Sequence, residues 1–240
     1  MIHLRIALAF LTILPVNHAE SEEPGRAFTF FPLVGLVIGA LLAIAAHALR
    51  QWFPVDVAAF GIVVLWVILT GGLHLDGFGD SCDGLLATVD PERRLEIMKD
   101  PRAGSWAVVG LILLLLGKWL ALREVSVLGL IVPAVMGRWV MVMAAYGFPY
   151  ARPDGLGVYF RRGLGRRQVI IATVSVILIV GLWSLLVDRR GIVLLLVGWL
   201  LVMGVGRWAA RRLDGGLTGD VYGALCELTE LVTLLGLSML

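Results

Sequence analysis

Charge is scarce in this chain. Only 16% of its 240 residues are Asp, Glu, Lys or Arg, against about 25% in soluble domains. The net charge is +2, which leaves no electrostatic footprint for nucleic acid. Cysteine is nearly absent: Cys82 and Cys226 have neither CxxC nor paired metal spacing. That pattern excludes a disulfide framework or a zinc module and suits two small space-filling residues in a reducing compartment. No internal repeat and no low-complexity linker interrupts the chain, and no connection is long enough for a separate soluble domain. Residues 1–240 therefore read as a single membrane-embedded domain. What the chain has instead is apolar bulk, 59% hydrophobic residues at a mean hydropathy of +0.92. They come in long blocks, so the expected solvent is the bilayer.

Seven stretches are long and apolar enough to span: 30–49, 57–73, 104–122, 125–146, 168–187, 191–208 and 221–240. The expected fold is all-α, a polytopic membrane bundle of about seven transmembrane helices. The N-terminal run MIHLRIALAFLTILP has one Arg and no small-residue cleavage site after it. It reads as a retained interfacial or re-entrant helix. Segments 74–103 and 147–167 are the long connections, and 209–220 is a medium one. Arg5 and Arg26, Arg93, Arg94, Lys99 and Arg102, Arg152, Arg161, Arg162, Arg166 and Arg167, and Arg207, Arg211 and Arg212 fall on one side. Those are fourteen cations, against four (Arg50, Arg123, Arg189, Arg190) on the other. The positive-inside rule then puts the N-terminus and all three longer connections in the cytoplasm.

Four segments carry candidate chemistry. HLDGFGDSCD, residues 74–83, places Asp76, Asp80 and Asp83 at i, i+4 and i+7, one face of a helix. A lone aspartate there would cap a helix. Three of them suggest oxygen ligands for Mg²⁺, which bridges carboxylates to substrate phosphates. His74 is either a base or a structural hydrogen-bonding residue. RRLEIMKDPRAGSW, residues 93–106, puts Lys99 and Arg102 near a helix start, as an anion site or as ordinary flanking charge. In GGLTGDVYGALCELTE, residues 215–230, Asp220 follows a Gly-rich turn while Glu227 and Glu230 lie inside a span. Those acids either complete a metal site or pair with Lys118 and Arg138. YARPDGLGVYF, residues 150–160, offers aromatics with Arg152, either as interfacial anchors or as a roof over a planar ring.

In this order and between these spans, HLDGFGDSCDGL, LEIMKDPRAG, YARPDGLG and GGLTGDVYGALCELTE resemble the cobalamin synthase family, the adenosylcobinamide-GDP ribazoletransferases. FLTILPV and FTFFPLVGLVIG near the start are similar to family segments as well, so the resemblance covers the whole chain. Departures are Ile13 where the family has an N-terminal cation, Gly137 before Arg138 where it has a Ser-Arg-like pair, and Pro101 where it has Ser. The resemblance implies a membrane-embedded transferase of late vitamin B12 (cobalamin) biosynthesis. It would join adenosylcobinamide-GDP to α-ribazole or its 5′-phosphate, with release of GMP and with Mg²⁺ as cofactor. A diphosphate ester needs charge neutralised on both sides of the breaking bond, which metal ions and Lys or Arg provide.

On that reading Asp76, Asp80 and Asp83 hold Mg²⁺, with Asp220 or Glu227 as further ligands. Asp83 or His74 would take the proton of the ribazole 5′-hydroxyl, with Asp80 grouped among the catalytic carboxylates. Lys99, Arg102, Arg138 and Arg152 would bind substrate, together with Gly155, Gly157, Gly216 and Thr218 in the two Gly-rich segments. The expected location is the cytoplasmic (inner) membrane, with a homo-oligomer or contact with other cobalamin-assembly enzymes left open. Two other classes compete. A CDP-alcohol phosphotransferase also uses an Asp-rich Mg²⁺ motif, but Gly79-Asp80 stand where its Ala-Arg would be. An ion- or proton-coupled transporter would use Glu227, Glu230, Arg138 and Lys118, but no inverted repeat accompanies them.

Overall fold

The computed structural model of the chain describes residues 1–17, 20–153 and 156–239. A short apolar helix, α1 (Ile2–Leu11), is too brief to span. A 3₁₀ turn (Pro24–Phe30) runs directly into α2 (Phe31–Trp52). Then come α3 (Val55–Thr70), α4 (Leu73–Leu86), α5 (Pro91–Ile97), α6 (Ser105–Leu122) and α7 (Ile131–Gly147). The chain continues through α8 (Leu156–Arg161), α9 (Arg166–Leu186), α10 (Val193–Leu201), α11 (Arg207–Arg212) and α12 (Gly219–Ser238). A π-helical turn, Val202–Gly206, joins α10 to α11. Among the described residues six helical stretches are long and apolar enough to cross a membrane, and a seventh crossing results if α3 and α4 count as one bent span. The polytopic all-α expectation holds. Among the described residues no strand forms; one parallel bridge pairs Tyr150 with Leu217.

Burial orders these helices. α7 with its preceding 3₁₀ turn is 78% buried across its apolar window, whereas α6 and α9 are 28% buried there. α7 is thus the axis of the bundle, with α2, α12 and α9 packed around it. The exposed faces of α6 and α9 carry Leu113, Leu116, Leu178 and Leu182. Those side chains suit hydrocarbon, because lipid tails are as apolar as the residues they meet.

The element that matters most for the site is α4, which turns 92° from α3. Gly71 and Gly72 make that corner with φ of 61° and 68°, in the left-handed region where a side chain is strained. The segment 74–103, expected as a long connection, therefore holds two helices, α4 and α5. α4 lies between α6 and α12, where Phe78 packs with Leu114 and Ala224. Its contact with α12 is close: a β-carbon on Gly77 would fall 2.9 Å from the Asp220 Cα. Arginines hold its far end. Arg94 Nη1 donates to the carbonyls of Gly84, Leu85 and Ala87, and Arg212 Nη1 donates to Leu85 at 2.7 Å. These are the carbonyls that a helix C-terminus leaves without partners.

Candidate active site

Crossing α4 against α12 brings Asp76 and Asp220 to one cavity of about 390 Å³. His74, Lys99, Arg152, Arg161 and Gly157 line it as well. Three further segments are tied to this crossing. Ala151 N–H donates to the Leu217 carbonyl and Leu217 N–H to the Pro149 carbonyl, each at 2.9 Å, so the 149–151 strip is fastened beside the start of α12. Thr218 caps α12, its hydroxyl accepting from Val221 N–H. Arg152 then reaches inward, its Nη2 2.9 Å from Asp220 Oδ2 and 3.5 Å from the Met98 carbonyl beside Lys99. Gly216 packs directly on the Ala151 backbone, and a β-carbon on Gly157 would enter the Tyr150 ring.

The aspartates of α4 divide. They do share a helical face, but seven residues of helix rise about 10 Å, so a common face is not a common point. Asp76 faces the cavity. Asp80, one turn on, is repelled most by Asp220 and next by Asp76, with Arg152 relieving it. Asp83 is occupied elsewhere: Oδ2 accepts from Gly104 N–H at 2.6 Å and Oδ1 from Ala107 N–H at 2.9 Å. It serves the exposed amides at the start of α6, the capping role weighed for a single aspartate. A proton-accepting Asp83 would have to give up those bonds.

Other expected site residues are also placed away from the cavity. Arg102 is solvent-exposed and forked onto Asp100 at 2.9 and 2.7 Å, holding the Asp100 carboxyl well below the usual carboxylate range. With Asp83 it lines a neighbouring hollow. Glu227 and Glu230 both bond Lys118 Nζ at 2.5 Å, and Glu230 also pairs with Arg138. This buried quartet has two cations and two anions. It pairs Glu227 with Lys118 and leaves it two turns of helix from Asp220. Arg138 is likewise turned to Glu230 and does not line the cavity. The same pairing occupies all four groups that a coupled transporter would use. Gly155 lies outside the described residues. Cys82 and Cys226 are free thiols.

The cavity also contains groups that the sequence motifs did not single out. Arg161 follows the aromatic segment directly, and Tyr222 lies one turn before Cys226 on α12. Phe10 of α1, Phe28 and Phe160 complete an apolar wall. Two buried polar atoms of residues lining it have no partner among the described residues, His74 Nε2 and the Tyr222 hydroxyl.

Among the described residues no group of three or more His, Cys, Asp or Glu converges as a metal-holding set. Mg²⁺ does not require one, since it is commonly held by one or two carboxylates plus substrate phosphates and water. Asp76 and Asp220 offer that pair, with Asp80 adjoining, and Lys99, Arg152 and Arg161 supply positive charge around it.

A profile of cobalamin-5-phosphate synthase matches residues 3–238. An adenosylcobinamide-GDP ribazoletransferase of Pseudomonas putida (strain W619) is 40% identical over 253 aligned residues, covering 100% of this chain and 99% of its own. One from Pseudomonas savastanoi pv. phaseolicola is 41% identical with full coverage of both chains. One from Stutzerimonas stutzeri is 40% identical, covering 100% of this chain and 98% of its own. No solved structure matches. With profile and relatives aligned from end to end, the chain belongs to the cobalamin-5-phosphate synthase family.

Proposed function

We propose that the chain is an adenosylcobinamide-GDP ribazoletransferase of late cobalamin biosynthesis. It moves the cobinamide phosphate from adenosylcobinamide-GDP to α-ribazole or its 5′-phosphate and releases GMP. The observation that carries the reading is the single cavity in which carboxylates of two helices, Asp76 and Asp220, face Lys99, Arg152 and Arg161. Diphosphate cleavage requires such a mixture. Carboxylates hold a hard cation, and fixed cations take up charge that grows on the leaving phosphate.

Asp76 and Asp220, with Asp80, would hold Mg²⁺, which when bound supplies neutralising charge to the diphosphate oxygens. Arg152, held by Asp220, orients the diphosphate, and Lys99 and Arg161 stabilise the departing GMP. The acceptor hydroxyl attacks the phosphorus that carries cobinamide, the bond from that phosphorus to the bridging oxygen breaks, and the proton passes to His74 Nε2. The 5′-hydroxyl expected above does not suit this role. A product that keeps a 5-phosphate, as the family description states, has its 5′-oxygen occupied, so the attacking group is a secondary ribose hydroxyl. The excess of cations at the ends near the site supports a cytoplasmic-facing site in the cell membrane.

The test is GMP release from adenosylcobinamide-GDP and α-ribazole by purified protein, with Mg²⁺ and with chelator. Turnover should require Mg²⁺, and Asp76→Asn should lower it at least about a thousandfold, the scale of losing a principal charge-stabilising group. Near-normal turnover of Asp76→Asn, or no GMP from the wild type under any metal condition, would overturn the assignment.

A further inference from the structure

The cavity has a second character beside its charged mouth. Phe10 and Phe160 meet as tilted rings 4.4 Å between centroids, with Phe28 beside them. Tyr150 and Tyr222, 6.4 Å apart, bring further aromatic surface. At about 390 Å³ the space falls at the small end of sites for drug-sized molecules, about 300–1,000 Å³. A corrin macrocycle with its amide arms is several times the volume of a nucleoside and does not fit. A planar two-ring base with its ribose does.

Tyr222 is 5% exposed and His74 2% exposed; both line this space, and each has a buried side-chain polar atom with no partner among the described residues. Such atoms cost free energy unless something bonds them. A ribonucleoside supplies what they need: hydroxyls for one and a ring nitrogen or hydroxyl for the other. Resting on the reaction proposed above, we infer that this cavity is the acceptor subsite. The aromatic wall of Phe10, Phe160 and Tyr222 receives the base of α-ribazole, and the corrin ring of the donor stays outside, admitting only its diphosphate arm to Asp76 and Asp220. Phe160 and Tyr222 are then the residues that determine which base is accepted.

The experiment uses the full chain in detergent or lipid nanodiscs, with Phe160→Ala, the apolar but non-aromatic Phe160→Leu, and Tyr222→Phe. Binding of α-ribazole alone is measured by calorimetry, and KM for each substrate by GMP release. Loss of one base–aromatic stack corresponds to roughly tenfold weaker binding. Phe160→Ala should therefore raise both the Kd and the KM of α-ribazole about tenfold, Phe160→Leu several-fold, and leave the donor KM within about twofold. A raised donor KM with an unchanged acceptor KM would overturn the inference, as would no change in either across the three variants. Should wild-type protein bind α-ribazole, weakened in these variants, yet release no GMP, the subsite stands and the proposed reaction fails.

Discussion

Lys118→Met gives a sharp test of how this bundle holds its site. Lys118 Nζ lies 2.5 Å from both Glu227 and Glu230, and 4.7 Å above the Trp66 ring. Its side chain is 5% exposed, and those of Glu227 and Glu230 are 4% and 1% exposed. Methionine preserves the apolar stem but leaves two buried acids to share Arg138. Removing one member of a buried ion pair costs about 3–5 kcal/mol, because the partner charge remains desolvated. At about 2–4 °C per kcal/mol for a chain of this size, the midpoint of thermal unfolding should fall by roughly 6–20 °C. Adding Glu227→Gln restores charge balance, since Arg138 then faces Glu230 alone. The double variant should recover at least half of the loss, that is at least about 1.5–2.5 kcal/mol, which shows the two positions to be coupled. The assay is unfolding in one fixed detergent followed by tryptophan fluorescence, with GMP release measured well below each midpoint. A Lys118→Met midpoint within about 2 °C of wild type would refute the argument. So would a double variant no more stable than the single one. The arithmetic rests on uncompensated charge, not on lost packing.

Other expectations follow from the same contacts. Asp83→Asn removes charge from the start of α6 but keeps an acceptor, so it should cost about 1 kcal/mol of stability and hold turnover within about tenfold; a loss as deep as that of Asp76→Asn would make Asp83 catalytic after all. Gly77→Ala drives a β-carbon against Asp220 backbone, which cannot swing aside, and should cost about 1–3 kcal/mol with a fall in kcat. Gly181→Ala in α9, which meets nothing, should be neutral or stabilising, and equal unfolding midpoints for the two variants would contradict the close α4–α12 crossing. Arg152→Met leaves Asp220 without its charged partner and should lower kcat/KM for the donor at least about a hundredfold, while a normal donor KM and kcat would remove Arg152 from the site.

Much of the fold was legible because membrane helices announce themselves. In hydrocarbon every backbone polar group must be satisfied within the segment, so long apolar runs have essentially one regular solution. Six of the seven stretches accordingly correspond to apolar helices long enough to span, within a few residues, and the stretch 57–73 corresponds to α3, the first half of the bent pair. The corner at Gly71 and Gly72 was less visible, since α3 and α4 together read as one apolar segment followed by a loop. Periodicity correctly put Asp76, Asp80 and Asp83 on one face. Local sequence carries no information about the partner each residue meets, so Asp83 emerged as a helix cap only once α6 was placed beside it.

Sequence by itself determined the solvent, the all-helical polytopic class, the family and the carboxylates that open α4 and α12. These depend on composition, periodicity and motif, all of which are local properties of the chain. Tertiary structure alone decided which carboxylates share a cavity. Asp76 and Asp220, 144 positions apart in the sequence, meet because Gly77 lets two helices touch, while Glu227 is drawn two turns away to Lys118. The same packing brought Phe10 and Phe160, 150 positions apart in the sequence, into one wall. Contacts of this kind depend on how helices cross, and a crossing is a property of the assembled bundle.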